Sequence, residues 1–400
     1  MHKKLLTVLI TTGVSLGALQ AMAEDAASGP SLKITGILRS LAVGTTQKVR
    51  TSKGVQFNTY GNMTLNAGGV ANNGLTYGAL AVLELDRAKS EKDRISESYI
   101  YLGSDAIGNF QFGDTNGVSS LMMYDATDVM GGTGGFDGNL EKQVNVTRGV
   151  DFGQSIGYVN NGSSRSTKIT YMSPEVSGWQ TGLSYTPDTS QYGRVPNTNA
   201  LDSSGNRITG NAPYAVNHVE GGLSFTEDVG AYTVGVYVVG ALGKAHMPRG
   251  LTSTGEYLNP VKAWQFGTLV DYQNYQFGAG YFNNGKSYMR RSTNFTNTHG
   301  FNLAMSYGMG PVSLALGYTG TERTVTAGKA KADISSFTVD YSVADGLAVY
   351  GEASYFKFRA PDAHIAGTNF VPSTDYLDRQ PSANKDNSGT AFVLGTRINF

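Results

Sequence analysis

The chain has 400 residues and carries 31 basic and 31 acidic side chains, so its formal net charge at pH 7 is zero. That balance provides no basic excess for binding nucleic acid. The absence of cysteine excludes disulfides, thiolate nucleophiles and zinc–thiolate centres. Glycine is abundant at 52 residues, tyrosine contributes 23, and 40% of the chain is hydrophobic. This composition favours β-structure over low-complexity disorder.

The N-terminus has the pattern of an export signal. Lys3 and Lys4 precede an apolar run over residues 5–19, and the small residues Ala21 and Ala23 flank Met22 as in a cleavage site. A membrane-anchor helix is the alternative, but threonine, glycine and serine interrupt the run. We therefore expect a signal peptide over residues 1–23 and a mature chain that starts at Glu24. Beyond it, no apolar stretch reaches the roughly 20 residues of a spanning helix, which excludes a helical membrane protein.

Short segments in which apolar residues alternate with small or polar ones recur along the mature chain. In the first, Leu32 and Ile34 share one side and Lys33 and Arg39 the other. This period of two is typical of β-strands that expose one face to an apolar environment. The pattern predicts sixteen strands, at residues 31–43, 57–66, 75–87, 95–103, 108–114, 166–173, 178–185, 217–225, 232–242, 262–272, 275–282, 298–307, 312–318, 333–341, 347–358 and 390–400.

The connections between these strands alternate in length. Five connections are short, namely PEVSG, EDVGA, YQN, GMGP and VADG. The intervening connections are long and lie at residues 187–216, 243–261, 283–297, 319–332 and 359–389. Outer-membrane barrels have this arrangement, with short periplasmic turns and long external loops. Counting the segment QSIGYVN as a strand inverts the alternation, so we assign it to a long third loop. The even count places both chain ends in the periplasm.

The last strand ends on an aromatic residue, with Phe392, Leu394, Ile398 and Phe400 on alternate positions. A free apolar strand at a chain end normally frays, whereas closure of a barrel pairs its backbone and lipid covers its apolar face. A soluble β-sandwich or propeller also shows alternation, but does not explain the alternating connection lengths. The sequence thus predicts an all-β protein, a transmembrane antiparallel β-barrel of about sixteen strands.

A barrel of this size encloses an aqueous lumen, because side chains fill only much smaller barrels. The third loop, between the fifth and sixth strands, is the candidate for narrowing it. Its glycines allow tight folding, and its acidic side chains would attract cations. Inward-facing basic side chains on the wall would complete a transverse field. The acidic candidates are Asp114, Asp125, Asp128, Asp137 and Glu141, and the basic candidates are Lys33, Arg39 and Lys168. Solvated charges without a special role are the alternative for each residue.

Five segments occur in a characteristic order along the chain: SLKITG after the signal segment, GLTYGALAVLELD, FQFGDT before the third loop, ITYMSPEVSGWQTGLSYTPD and the terminal GTRINF. In these segments the chain resembles the general diffusion porins of Gram-negative outer membranes, particularly those of alphaproteobacteria. It implies a sixteen-stranded homotrimer in which the third loop folds into each pore, and passive passage of ions and small hydrophilic solutes. It further implies outer-membrane lipid and lipopolysaccharide as surroundings.

The resemblance also implies roles for particular residues. By position, the residues that match the acidic side of a pore constriction are Asp125, Asp128, Asp137 and Glu141. The three basic candidates match the opposite side. The early strands carry fewer cations than the dense arginine ladder of many porins, so anion preference does not follow. Some porins bind calcium near the constriction, and the clustered carboxylates of this chain would permit it, although no ligand spacing requires it. We expect no other cofactor.

Other function classes have weaker support in the sequence. An outer-membrane enzyme needs a nucleophile, a histidine and a carboxylate or amide close together. Of the five histidines, only His218 is expected to face inward from a strand, and no serine or cysteine motif accompanies it. We therefore expect no catalysis. A substrate-selective channel remains an alternative, as does a barrel whose long loops serve adhesion or phage binding.

Overall fold

A computed structural model describes residues 29–49, 54–85, 95–138, 140, 144–145, 163–191, 193, 214–246, 258–289, 291, 297–325, 328–359 and 386–400. The expected signal peptide, Glu141 and the QSIGYVN segment lie outside these residues. No helix in the described ranges is both long and apolar enough to cross a membrane.

Sixteen antiparallel strands form one closed barrel in which each strand pairs with its neighbours in the chain, and β1 pairs with β16. The predicted fold is therefore confirmed. The strands are β1 Ser31–Gln47, β2 Val55–Val70, β3 Thr76–Glu84, β4 Ile95–Ser104, β5 Gly108–Asp114, β6 Thr167–Met172, β7 Trp179–Asp188, β8 Tyr214–Val229, β9 Tyr232–His246, β10 Val261–Tyr272, β11 Tyr275–Gly285, β12 Asn297–Met309, β13 Val312–Val325, β14 Gly328–Ala344, β15 Leu347–Arg359 and β16 Asn387–Asn399.

The barrel closes where the first and last strands meet. Leu38 lies opposite Ile398 in the β1–β16 register. Beyond the last paired residue, the backbone N–H of Gly36 donates to the carbonyl of Phe400 at 2.7 Å, and the Phe400 N–H returns a bond of 3.0 Å. The chain end is therefore held by backbone hydrogen bonds, as a strand without a free edge requires.

The two faces of the wall differ as the alternation predicts. Large apolar side chains such as Leu32, Leu183 and Phe392 are more than half exposed on the outer face, where lipid covers them. Aromatic pairs flank this band near the short turns. Tyr232 stacks on Tyr272 with ring centroids 4.4 Å apart. Paired aromatic rings at this level are typical of the boundary between membrane and water.

Strands extend further than the sequence indicates at the long-loop end. The predicted loop at 319–332 is wrong, because β13 continues to Val325 and β14 begins at Gly328. Glu322, Lys329 and Lys331 interrupt the apolar pattern there, yet the backbones stay paired, with Glu322 opposite Lys331. Strand β8 also begins earlier than expected, at Tyr214, with a register shift beside Asn217, whose φ is 49°.

Candidate functional site

The third loop leaves the end of β5 and returns at β6. It contains two short helices, α1 Val118–Leu121 and α2 Ala126–Val129, and a 3-10 turn at Gly135–Asp137. Strands β5 and β6 pair directly, with Phe112 opposite Ile169. The loop therefore adds no strand to the sheet. Its described residues lie inside the barrel and contact the inner wall at four successive places.

The first contact is at the carboxylate of Glu220, on β8. The backbone N–H of Ser119 donates to Glu220 Oε2 at 3.0 Å, and the N–H of Ser163 donates to Oε1 at 2.8 Å. The hydroxyls of both serines donate to the same two oxygens. His218 Nδ1 lies 3.6 Å from Glu220 Oε1. One buried wall carboxylate therefore joins the outgoing and returning ends of the loop.

Methionine packing reinforces this first contact. A Cβ on Gly182 or Gly222 would lie 2.8 or 2.7 Å from Sδ of Met122. The two glycines therefore form the hollow in the wall that receives the Met122 side chain, next to Val118 and Met172. This explains why the strands carry glycine here, because a larger residue at either position would exclude the Met122 side chain.

The second contact is at Asp125, which is completely buried. Its Oδ2 accepts hydrogen bonds from Tyr237 Oη at 3.1 Å, Gln265 Nε2 at 3.1 Å and Asn302 Nδ2 at 3.2 Å. These donors belong to β9, β10 and β12. A Cβ on Gly280 would lie 2.6 Å from the same oxygen, so glycine leaves room for the carboxylate to approach the wall.

Asp125 also begins α2. Its Oδ1 accepts from the backbone N–H of Thr127 at 2.9 Å, and Asp128 Oδ2 accepts from the N–H of Asp125 at 2.9 Å. This reciprocal arrangement is a capping box, which satisfies the free N–H groups at the start of a helix. Burial, together with the nearby Asp125 carboxylate, raises the pKa of Asp128 to about 7.

The third contact holds the glycine-rich turn of the loop against β14 and β15. The N–H of Gly132 donates to Asp340 Oδ2 at 2.7 Å, and the N–H and hydroxyl of Thr133 donate to Glu352 Oε2 at 3.1 and 2.7 Å. A Cβ on Gly131 would lie 2.1 Å from Asp340 Oδ2. The turn therefore approaches the wall carboxylates more closely than other residues permit.

The fourth contact lies near the closure of the barrel. The N–H of Asn145 donates to Gln47 Oε1 at 2.9 Å, and Asn387 Nδ2 donates to the carbonyl of Asn145 at 2.7 Å. Leu140 and Val144 pack with Phe356 and other inward side chains of β14–β16. Together, the four contacts carry the loop along the inner wall from β8 to β1.

The predicted acidic residues lie in different places in the structure and do not form one cluster. Asp128 and Asp137 are half-buried in the loop. Asp114 lies at the end of β5 and accepts from the hydroxyl of Thr167 at 2.5 Å and the N–H of Gly193 at 2.8 Å. Asp125 is enclosed by the wall, so its carboxylate has no surface in the lumen.

The predicted basic residues are also in different environments. Lys33 is exposed and lies opposite Asn66. Lys168 is buried beneath the loop, where its ammonium donates to the carbonyls of Thr115 and, at 2.7 Å, Ser166. The Lys168 side chain therefore has no access to the open lumen.

Arg39 has a different setting, on the inner wall beside the barrel closure. Its guanidinium lies over the ring of Tyr60, 5.5 Å from the centroid. Arg397 lies opposite Arg39 in the β1–β16 register and pairs with Asp340, Nη2 to Oδ1, at 3.2 Å. Arg397 thus pairs with the carboxylate that holds the turn of the third loop, and Arg39 lies beside Arg397 on the neighbouring strand.

Sequence reasoning missed the wall residues that receive the loop, above all Glu220, Asp340 and Glu352. One signal was available, because each is an acid at an inward position of a predicted strand. A carboxylate in such a place requires buried partners. The partners themselves are loop backbone groups, which alternation along the strands does not identify. Among the described residues, no three histidine or carboxylate groups converge to hold a metal ion.

The chain matches a protein-family model and is similar in sequence to known proteins. A family model described as Gram-negative porin matches residues 6–361. An uncharacterized protein of Rickettsia prowazekii is 26% identical over 377 residues, covering 82% of this chain and 81% of the relative. An uncharacterized protein of Rickettsia conorii is 25% identical over 376 residues, with coverage of 82% and 81%.

Several solved structures have the same fold. An anion-selective porin from Comamonas acidovorans has a TM-score of 0.59 at 16% identity, covering 93% of this chain and all of that one. The outer-membrane channel DcaP of Acinetobacter baumannii has a TM-score of 0.58 at 11% identity, covering 94% of this chain and all of that one. OmpT of Vibrio cholerae, in its trimer form, has a TM-score of 0.56 at 14% identity and covers 93% and 100% of the two chains. With the closed barrel and the family match over most of its length, the chain belongs to the Gram-negative porin family and is an outer-membrane channel.

Proposed function

We propose that the chain passively conducts ions and small hydrophilic solutes, and that the third loop sets the width of its pore. The observation that carries this proposal is the attachment of the loop to the inner wall at four places between Glu220 and Asn145. A loop held at so many points occupies lumen cross-section and keeps a constant shape. Polar and charged groups along it favour hydrated solutes over apolar ones.

We further propose a preference for cations. The half-buried Asp128 and Asp137 supply negative charge on the loop, and Glu141 is a third acidic candidate. On the wall, the charge of Arg397 is compensated by Asp340 at 3.2 Å, which leaves Arg39 and Lys33 as the basic candidates. Negative charge at a constriction concentrates cations.

The test is reconstitution of the purified chain in planar lipid bilayers with a salt gradient. We expect discrete conductance steps that do not saturate with salt, and a reversal potential of cation-selective sign. The absence of steps contradicts the pore, and an anion-selective potential contradicts the acidic constriction. Saturation by one solute favours the substrate-selective alternative.

The width-setting role of the loop has a separate test. The double substitution Asp340→Asn and Glu352→Gln replaces two carboxylates with uncharged amides. The hydrogen bonds that these side chains accept from the N–H groups of Gly132 and Thr133 are thereby weakened. We expect larger or noisier open-channel currents from a correctly folded barrel. Asp345→Asn, in the exposed turn between β14 and β15, is the matched control. Identical currents in all three proteins contradict the role of the loop.

We propose a homotrimer in which the outer face of β1–β3 forms the subunit contact. Ser40 and Thr59 lie opposite each other there and share a hydrogen bond of 3.2 Å. Their neighbours on this face are the small Ala42 and Gly61 and the exposed apolar Leu38 and Phe57, whereas the outer face of β9–β12 carries mainly large aromatic and aliphatic side chains. Small and polar residues permit close approach of protein surfaces but gain little from lipid contact.

We propose no catalytic activity and no cofactor. The hydroxyls of Ser119 and Ser163 donate to Glu220, and His218 is fully buried with them, so no substrate reaches this group. Conductance that is unchanged by adding calcium or by chelating it is the expected result.

We also propose export with cleavage before Glu24, for which intact mass of the membrane-inserted protein is the test.

A further inference from the structure

Six consecutive inward positions of β2 carry uncharged polar side chains. These residues, which we call the polar strip, are Gln56, Asn58, Tyr60, Asn62, Thr64 and Asn66. Their direction follows from the residues between them, because Phe57 is 84% exposed on the outer face and successive side chains of a strand point to opposite sides. The strip therefore lines the inside of the barrel with four carboxamides and two hydroxyls.

Amides elsewhere on the inner wall bind the third loop. Gln265 and Asn302 both donate to Asp125. The centre of the strip differs from them, since the side chains of Asn58 and Asn62 take part in no hydrogen bond within the described ranges. Both residues are half-buried, and the exposed part of each side chain faces the lumen.

The neighbours of these two asparagines explain why the wall supplies no partner. On β1, Leu41 lies opposite Asn58, and Ile37 lies opposite Asn62. Aliphatic side chains neither donate nor accept hydrogen bonds. Because a polar group without a partner is costly once water is removed, the two carboxamides require water or a solute from the lumen.

Charged groups near the strip are either paired or buried. Glu84, which lies opposite Asn62 on β3, pairs with Arg165 at 3.1 Å. The guanidinium of Arg39 lies over the ring of Tyr60, and this arginine is 9% exposed. The strip therefore offers the lumen hydrogen-bonding groups with little charge, unlike the acidic third loop.

A chain of contacts joins the strip to the glycine-rich turn of the third loop. Tyr60 lies opposite Arg39, which lies opposite Arg397. Arg397 pairs with Asp340, the carboxylate that accepts from the N–H of Gly132. A solute that passes the turn therefore also passes the strip.

Hydroxyl groups suit these amides better than ions do. A carboxamide and a hydroxyl each donate and accept, so the two can pair in either direction. An ion instead requires an opposite charge in exchange for its hydration. Asn58 and Asn62 are about 13 Å apart along the strand, so a molecule that contacts both must be extended.

We propose that the polar strip binds short linear oligosaccharides, with Asn58 and Asn62 as its main contacts and Ile37 against the apolar face of a sugar ring. Ile37 is half-buried opposite Asn62, and a few polar groups beside apolar surface are typical of small-molecule sites. The inference rests on the proposed conduction, because solutes reach the strip through the pore, and it names a class of solute for that pore.

The experiment measures how maltotriose, glucose and triglycine block the open-channel current in planar bilayers. The test variant is Asn58→Leu/Asn62→Leu, which removes both amides at similar side-chain volume. The matched control is Asn72→Leu/Asn274→Leu, because these asparagines are exposed in the short turns after β2 and β10. Saturation-transfer NMR of maltotriose, with the protein in a detergent that has no sugar headgroup, measures binding independently of conduction.

For the unsubstituted protein we expect maltotriose to block at lower concentrations than glucose or triglycine. Loss of two hydrogen bonds should raise the half-blocking concentration about 10-fold in the test variant, and the control pair should change it less than about threefold. Conduction with neither block nor NMR binding overturns this inference and leaves the pore intact, whereas binding without conduction contradicts the pore alone. Equal block by triglycine, or an equal change in both pairs, also overturns the inference.

A second pair, Asn58→Asp/Asn62→Asp, keeps the side-chain shape and serves if the leucine variant does not fold. Two carboxylates beside the ion path should shift the reversal potential toward cation selectivity. Loss of the amide donors should also weaken maltotriose binding in the NMR measurement. An unchanged reversal potential, or unchanged binding, shows that the strip is not the site.

Discussion

Asp125 shows how a loop carboxylate can serve a channel without facing its solutes. Three side-chain donors from three strands converge on its Oδ2, so removal of the carboxylate leaves Tyr237, Gln265 and Asn302 buried with lost acceptors. Each such loss costs about 1 to 3 kcal/mol. We expect Asp125→Ala to reduce the free energy of unfolding by about 3 kcal/mol, measured by urea titration in detergent.

The control for this substitution is Asp105→Ala, since Asp105 is exposed in the short connection between β4 and β5. We expect its unfolding midpoint to match that of the unsubstituted protein. Asp125→Ala should also broaden the open-channel current, because α2 loses its N-terminal cap. An unchanged midpoint and an unchanged current together show that the hydrogen bonds of Asp125 do not hold the loop.

Asp128 gives the channel a dependence on pH. Burial, with the Asp125 carboxylate second, raises its pKa to about 7, from an ordinary value near 4. The group is therefore neutral below this pH and gains its negative charge as the pH rises through 7. Because its folded-state pKa is raised, the group lowers the free energy of unfolding progressively as the pH rises from about 4 to about 7.

We expect the cation preference in a salt gradient to increase between pH 6 and pH 8, and Asp128→Asn to remove most of that increase. Reversal potentials at several pH values measure both. Asp345→Asn, in an exposed turn, should retain the pH response. A response of equal size in Asp128→Asn shows that another group titrates in this interval.

For single residues, the sequence predicts which face of the wall a side chain lies on better than it predicts what that side chain contacts. Alternation correctly places Arg39 and Lys168 on the inward face, but Lys168 ends under the loop because its ammonium finds backbone carbonyls there. Asp125 and Asp128 have the same charge and lie three residues apart, yet one is sealed by the wall and the other is half-buried. Their difference depends on donors that lie more than a hundred residues further along the chain.

At the scale of elements, the terminal strand depends on both its backbone and its last side chain. The Phe400 ring covers Gly36, where an added Cβ would lie 2.6 Å from Cζ. Two backbone hydrogen bonds join the same residues. We expect Phe400→Ala to lower the thermal unfolding midpoint, and deletion of Phe400 to lower it further, since each lost hydrogen bond contributes about 1 kcal/mol.

Phe392→Ala is the comparison for this series. Phe392 lies on the same strand and is 54% exposed, against 57% for Phe400, so both substitutions remove similar lipid contact. A larger effect at Phe400 isolates its contribution to closure. Equal effects show that lipid contact alone accounts for both.

The β13–β14 hairpin explains where strand prediction fails. The alternation of apolar and polar residues reports the part of a strand that faces hydrocarbon, and it ends where the outer face reaches water and headgroups. Backbone pairing continues past that level, as between Arg323 and Ala330. Sequence therefore locates the membrane band well and the strand ends poorly. The predicted number of sixteen strands is nevertheless correct, because each strand has one segment that faces hydrocarbon.

At the scale of the whole molecule, the outer surface is unequal around the barrel. One side presents the polar Ser40 and Thr59 beside exposed apolar neighbours such as Phe57, and the other presents large apolar side chains such as Val238 and Phe266. We expect Ser40→Trp to separate the subunits, because the indole holds the two surfaces apart, while Val238→Trp stays trimeric with one more lipid-facing ring. Subunit number in mild detergent, from light scattering or native mass spectrometry, distinguishes them. Channel activity in both variants establishes that each barrel has formed. If Ser40→Trp remains trimeric, or if Val238→Trp dissociates, the contact lies elsewhere on the barrel.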